Sequence, residues 1–245
     1  QASICVGEIN TQIPRTFGDR ERAQALIDIA HPGDRPYLVQ KAKDSKILYD
    51  DQILLLNSAR LYPSHLSTTF LTKNNLKIRF RGIKPSDEEG MRHFFYRFSD
   101  TGIYYRYLHA IRSMPHPKMQ EYVNIDWNQT ISIVGLLGEE GQGRIIAEAR
   151  YIRIPGKPYA EVVFIVDERY QRIGIASFLY KMFMQLATER GLKGFLAEGL
   201  FSNNAAMKVL QTGDRPVIPL VIIMFRKDDG GIRVCSRKTV LTRNV

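Results

Sequence analysis

At 245 residues the chain can bury a sizeable core and hold one large or two small domains. Its 44% hydrophobic and 24% charged residues are ordinary for a globular protein. No apolar run reaches the ~20 residues that span a bilayer, which argues against a membrane protein, and a net charge of +10 favours anionic partners.

The start, QASICVGEIN, has neither a basic n-region nor a long apolar core, so no secretory signal is expected. It also lacks an initiator Met, which suggests a processed product or a piece of a longer polypeptide. Cys5 and Cys235 lie at opposite ends without metal or redox spacing. They read as idle thiols of a cytoplasmic protein that binds no metal. Basic residues are scattered apart from the tail 226–243, and no aromatic-plus-basic module is visible. Nucleic acid is therefore a minor alternative partner.

In chain order, residues 19–30 carry Ala23, Leu26, Ile27 and Ala30 at helical spacing, with Asp19 as the cap and a stop at His31-Pro32. A second short helix is expected over 35–43. The run Gly18-Asp19-Arg20-Glu21-Arg22-Ala23-Gln24-Ala25-Leu26-Ile27-Asp28-Ile29-Ala30-His31-Pro32, with Ala59-Arg60-Leu61-Tyr62-Pro63, resembles the C-terminal end of an acetyl-CoA hydrolase/transferase, the CoA-transferase family. The resemblance implies that residues 1–66 are the tail of such a domain, fused to a second, C-terminal one. That family's thioester-forming glutamate has no counterpart here. The polar stretch 67–75 reads as a linker.

The second domain is expected over 76–245. Leu76, Ile78 and Phe80 alternate as a strand. Ser86 and Glu89 have capping-box spacing, and Met91, Phe94, Phe95 and Phe98 come next as a core stripe. Tyr104, Tyr107, Leu108 and Ile111 mark a second helix, and 118–125 a short third one. Residues 129–137 and 144–154 read as strands around the glycine-rich loop 138–143. Residues 160–166 form an apolar strand, 167–173 a charged loop. From Gly174 on, Ile175, Phe178, Leu179, Met182 and Leu186 mark one face of a long helix. A strand at 194–200, a helix capped by Ser202, and a hairpin joining 217–225 to 232–241 complete the series.

The turn Gln171-Arg172-Ile173-Gly174-Ile175-Ala176 carries small residues where backbone must approach a ligand, ahead of unpartnered helix amides. With Arg172 and the helix dipole, it reads as a pyrophosphate site. Q/R-x-x-G-x-G/A between a strand and a long helix resembles the acyl-CoA signature of the GNAT N-acetyltransferase superfamily. The element order β-α-α-β-β-β-α-β-α-β-β over 76–241 is that of the family.

The resemblance implies an α/β (α+β) GNAT fold: a mixed, mostly antiparallel sheet flanked by helices, here preceded by a small, mainly helical segment. It implies acetyl-CoA as donor and an amine acceptor, most naturally a protein lysine. Gln171, Arg172, Ile173, Gly174, Ile175 and Ala176 would hold the pyrophosphate, and Phe164, Ile165 and Val166 the pantetheine arm. A free amide of Ile165 or Val166 would face the thioester carbonyl, and Asn203 or Asn204 would touch the CoA arm. Tyr104, Tyr105, Arg106 and His109 are acceptor-groove candidates. Glu161, on an apolar strand in an Ala-Glu pair that matches bacterial protein lysine acetyltransferases, is the candidate general base. Its expected setting is partly desolvated, with an ion pair to Arg150 or Lys157 as the structural alternative. Glu198 is the reserve base. Gly213-Asp214-Arg215-Pro216 and the lack of a Tyr after Asn204 depart from the family pattern, leaving the thiolate's acid unassigned. Those departures favour the rival reading, a non-catalytic acyl-CoA sensor. The oligomeric state stays open, a homo-oligomer included.

Overall fold

The computed structural model describes residues 19–53, 66–107, 113–138, 143–200, 208–210, 217–228 and 231–243. Two helices lead the chain, α1 (Asp19–Ile29) and α2 (Arg35–Asp44). Strands β1 (Thr68–Leu71) and β2 (Lys77–Gly82) precede helices α3 (Glu88–Phe95), α4 (Asp100–Tyr107) and α5 (His116–Val123). Strands β3 (Thr130–Leu137), β4 (Arg144–Arg153) and β5 (Tyr159–Val166) lead into the long helix α6 (Ile175–Glu189). The series ends in β6 (Gly194–Leu200), β7 (Val217–Asp228) and β8 (Gly231–Arg243). The strands form one eight-stranded sheet in the order β1-β2-β3-β4-β5-β6-β8-β7, antiparallel except at β5–β6. This is the expected mixed, mostly antiparallel architecture.

Helix α6 covers one face of the sheet. The T-shaped Tyr151–Phe183 pair, with centroids 5.2 Å apart, and the Phe164–Tyr180 pair anchor it there. Phe80 is buried on the same face, and Gly135 opposite it on β3 makes room for its ring. A Cβ at Gly135 would lie 2.6 Å from that ring, so the sheet tolerates no side chain there. Helices α3 and α5 cover the other face, with Phe94, Met119 and Val123 buried.

Three expectations change in the structure. The expected linker contains β1, which pairs with β2 through Thr68↔Phe80 and Phe70↔Ile78. Its polar composition belongs to an edge strand with mostly exposed side chains. The cap ahead of α3 is made by Asp87, not by Ser86 and Glu89. Asp87 accepts from the Lys84 N–H at 2.7 Å and takes a bidentate pair from Arg81. Pairing with Arg81, six residues back at the end of β2, thus stands in place of the expected box. The buried face of α6 is rotated from the expected stripe: Leu179, Tyr180, Phe183 and Ala187 are buried, while Phe178 and Met182 are half-buried. Phe178 turns towards β1 instead, stacking on Phe70 at 4.5 Å.

The leading helices have a small core of their own, Ile27, Ala42 and Leu48. Below them, a polar cluster joins them to the second face of the sheet. Gln52 Nε2 and the Ile53 N–H both donate to Gln120 Oε1, at 2.8 and 3.1 Å. Gln120 in turn donates to Glu88, which also takes Arg92 and His116. His116 reaches Asp51 at 3.2 Å and meets the Tyr49 ring edge-on.

Candidate functional site

The site begins where two strands part. β5 and β6 are paired only through Tyr159↔Gly194, Ala160↔Phe195 and Glu161↔Leu196. Beyond Glu161 the edge of β5 that faced β6 is open. Which backbone groups line that edge is set by the antiparallel ladder with β4, where hydrogen-bonded residues alternate. Ile154 N–H donates to Tyr159 O, and Asp167 N–H to Ile146 O. The odd-numbered residues of β5 therefore direct their amides to β4, Val162 closes the last contact with β6, and Phe164 and Val166 present their amides to the cleft.

This ladder corrects one expectation. The Ile165 amide is turned towards β4, so of the two candidates for the thioester carbonyl only Val166 has its N–H on the open edge. Strand parity, counted from the β4–β5 hairpin, separates the two candidates.

Past Val166 the chain is held in a rigid turn. Asp167 is buried and caps a short 3-10 turn at Glu168–Tyr170, its carboxylate taking Arg169 at 2.8 Å and Arg97 at 3.4 Å. Glu168 accepts from the Ser99 hydroxyl at 2.5 Å, and Arg144 donates to the Tyr170 hydroxyl at 2.5 Å. Gln171 Nε2 donates to Val166 O at 3.0 Å, so its side chain ties turn to strand. Arg172 has φ +65 and Gly174 φ +94; two left-handed residues flank Ile173 and turn the backbone into α6. The first intrahelical bond is Phe178 N–H to Gly174 O at 3.0 Å. The amides of Ile175 and Ala176 thus lie in the unpartnered first turn, at the positive end of a 15-residue helix. Arg172 is exposed beside them. Gly174 is exposed too, with the Phe70 ring 3.5 Å from where a Cβ would stand. An open strand edge leading to an amide-lined turn fits an extended thioester arm ending in a diphosphate.

The Asp167 carboxyl titrates below its ordinary value. Burial opposes this, but the hydrogen bonds and charge of Arg169, with Arg97 behind, more than offset it. A depressed carboxyl stabilises the fold above its unfolded pKa of about 3.9, and that stabilisation is lost as pH falls through the lower folded value. Asp167→Asn is therefore expected to lower the urea midpoint at pH 7, and the deficit against the unchanged chain is expected to shrink towards pH 3.

Glu161 lies on the face opposite α6, with Val163 and Ile165, and α4 lies against β5 and β6. Its side chain is exposed, not partly desolvated as expected, because the pairing with β6 ends there and the cleft opens beside it. Among the described residues it has no ion pair. Arg150, one of the two alternative partners, is bound instead to the buried Glu148 at 3.0 Å. The side chains of Tyr104, Tyr105, Arg106 and Glu198 lie outside the described set, as do His109, Asn203 and Asn204 altogether. A basic cavity of about 860 Å³, lined by Arg153, Lys157 and Arg190, sits at the opposite end of the sheet and has no part in this cleft. Among the described residues no helix is long and apolar enough to cross a membrane.

Residues 102–213 match the Acetyltransferase (GNAT) family. Acetyltransferase Pat of Mycolicibacterium smegmatis is 29% identical over 131 residues, covering 53% of this chain and 38% of that protein. Acetyltransferase PA5475 of Pseudomonas aeruginosa is 23% identical over 128 residues, covering 52% of this chain and 69% of that one. Among solved structures, the GNAT domain of S. lividans PAT superposes with a TM-score of 0.59 at 26% identity, over 74% of this chain and 99% of that chain. The ribosomal-protein-S5-alanine acetyltransferase of Vibrio fischeri shares the fold at 16% identity, over 73% of this chain and 96% of that one, with a TM-score of 0.53.

Proposed function

We propose, for a chain that carries a GNAT acetyltransferase domain and so moves acetyl groups from acetyl-CoA to an amine, that the acceptor is a protein lysine and that Glu161 takes its proton. One observation carries this reading. The single carboxylate on the cleft side of β5 stands where that strand leaves β6, with no ion pair among the described residues, on the strand whose open edge runs to the anion turn. Acetyl-CoA, when bound, supplies an acyl carbon activated as a thioester.

The residues of the chain divide the remaining work. Phe164 and Val166 offer backbone groups along the open edge, and the turn at 171–176 offers amides and Arg172 to the diphosphate. The Val166 N–H is placed to stabilise negative charge on the carbonyl oxygen, as a fixed donor needing no reorganisation. A lysine amine with pKa ~10.4 is almost wholly protonated at neutral pH, so it must lose a proton before it can attack. Glu161 accepts that proton, directly or through one water. An acceptor chain laid over the cleft would exclude water from around the Glu161 carboxylate and strengthen its pull on that proton.

Residues 1–66 belong, on this reading, to the end of a CoA-transferase domain. The motif at 18–32 supports that, and a CoA-handling protein or a neighbour in its metabolism becomes a natural acceptor. The test is mass spectrometry of candidate proteins incubated with the chain and acetyl-CoA. Acetyl-lysine that depends on both is the expected result. Acetylation confined to small amines or N-termini would overturn the lysine assignment.

A further inference from the structure

Beneath the floor of the cleft lies a buried ion pair with no part in holding acetyl-CoA. Glu148, on β4, is fully buried. Its Oε1 accepts from Ser132 Oγ at 2.8 Å and from Arg150 Nε at 3.0 Å, and its Oε2 from Tyr122 Oη at 2.9 Å. Arg150 donates a second bond to Tyr122 O at 2.7 Å, and its guanidinium lies 3.6 Å over the Tyr122 ring. Four groups from β3, β4 and α5 thus hold one carboxylate and one cation as a neutral unit.

Register gives this unit a bearing on Glu161. Glu161 is opposite Ile152, and Arg150 is opposite Val163, so Arg150 and Glu161 share a face as diagonal neighbours. Diagonal pairs in an antiparallel ladder lie within reach of a long side chain. Arg150 is the cation nearest to Glu161 by register, yet it is bound to Glu148. Leu196 of β6 stands directly opposite Glu161, and α4 packs against both strands. Arg153 and α6 lie behind the sheet.

We infer that Glu148 is a positioning residue for catalysis: by holding Arg150 in a neutral buried pair, it keeps that guanidinium off Glu161 and leaves the base free to take a proton. The inference rests on the assignment of Glu161 as base. A carboxylate paired with an arginine is a weaker base, so a freed Arg150 would move the acid limb of kcat/KM to lower pH and lower its plateau.

The test is the pH profile of acetyl transfer in three variants. In Glu148→Gln, which keeps the side chain's shape but not its charge, the acid limb is expected to fall by about 0.5–1 pH unit, the lower end of the effect of a nearby opposite charge, since Glu161 is exposed. In Glu148→Gln/Arg150→Met the whole neutral pair is removed, and the limb is expected to stay within about 0.2 unit of the unchanged chain; such replacements of buried ion pairs are often tolerated. Glu161→Gln should have no acid limb. A limb that survives in Glu161→Gln defeats the base assignment and this inference with it. A limb that requires Glu161 but stays put in Glu148→Gln, or moves in the double variant, overturns the inference alone. If Glu148→Gln fails to fold, Glu148→Asp, whose shorter side chain draws back from Arg150, replaces it: the limb is expected to fall there too, and an unmoved limb overturns the inference.

Discussion

Glu161→Gln is expected to slow acetyl transfer by about 10²–10⁴-fold, the usual worth of a positioned general base, while acetyl-CoA binding changes little. Geometry separates the two effects. The carboxylate projects from the face opposite α6, whereas the groups that hold the donor are backbone amides of alternate residues and of the turn. Replacing an exposed carboxylate by its amide disturbs neither set. Calorimetry with acetyl-CoA beside steady-state kinetics would check it. A variant that binds normally and turns over normally would remove Glu161 from the mechanism, and one that loses binding would place it in the donor site.

Gly174→Val is expected to weaken acetyl-CoA binding at least tenfold, with the rest of the fold intact. At φ +94 the residue sits in the left-handed region, where a branched side chain costs about 1–3 kcal/mol of backbone strain. The new side chain would also meet the Phe70 ring, already 3.5 Å from the Cβ position. Both penalties are relieved by moving the turn, which misdirects the amides just beyond it. Affinity measured by calorimetry, with the melting temperature as control, tests this. Unchanged affinity in a folded variant would mean that the diphosphate is held elsewhere.

What the sequence revealed and what it hid divide along a physical line. Periodicity and turn residues found β2 to β6 and the helices between them within a few residues, because each such signal is local. The anion turn was legible because Gly174 and the amides of α6 are set by a contiguous run. Partner choice was not. Arg150 and Lys157 were the alternative partners for Glu161, and only the register of β3 and β4 puts Ser132 and Glu148 under the Arg150 guanidinium. Asp87 took the cap from Ser86 because Arg81, six residues back at the end of β2, pairs with it, a choice the Ser-Glu spacing alone does not show. Strand β1 was hidden because an edge strand exposed on both faces looks like any polar stretch. The Val166 amide needed strand parity, which composition does not carry.

The seam between the leading helices and α5 also constrains how the molecule can move. Gln120 is completely enclosed, and its carbonyl is shared by Gln52 and Ile53 while its amide serves Glu88. Pulling residues 52–53 away strands buried polar atoms on both sides, at about 1–3 kcal/mol for each lost partner. A force applied upstream is thus passed to α3 and α5 before it can peel the front of the chain loose. Residues 52–53 are thereby fastened, through one enclosed amide, to two helices of the second face.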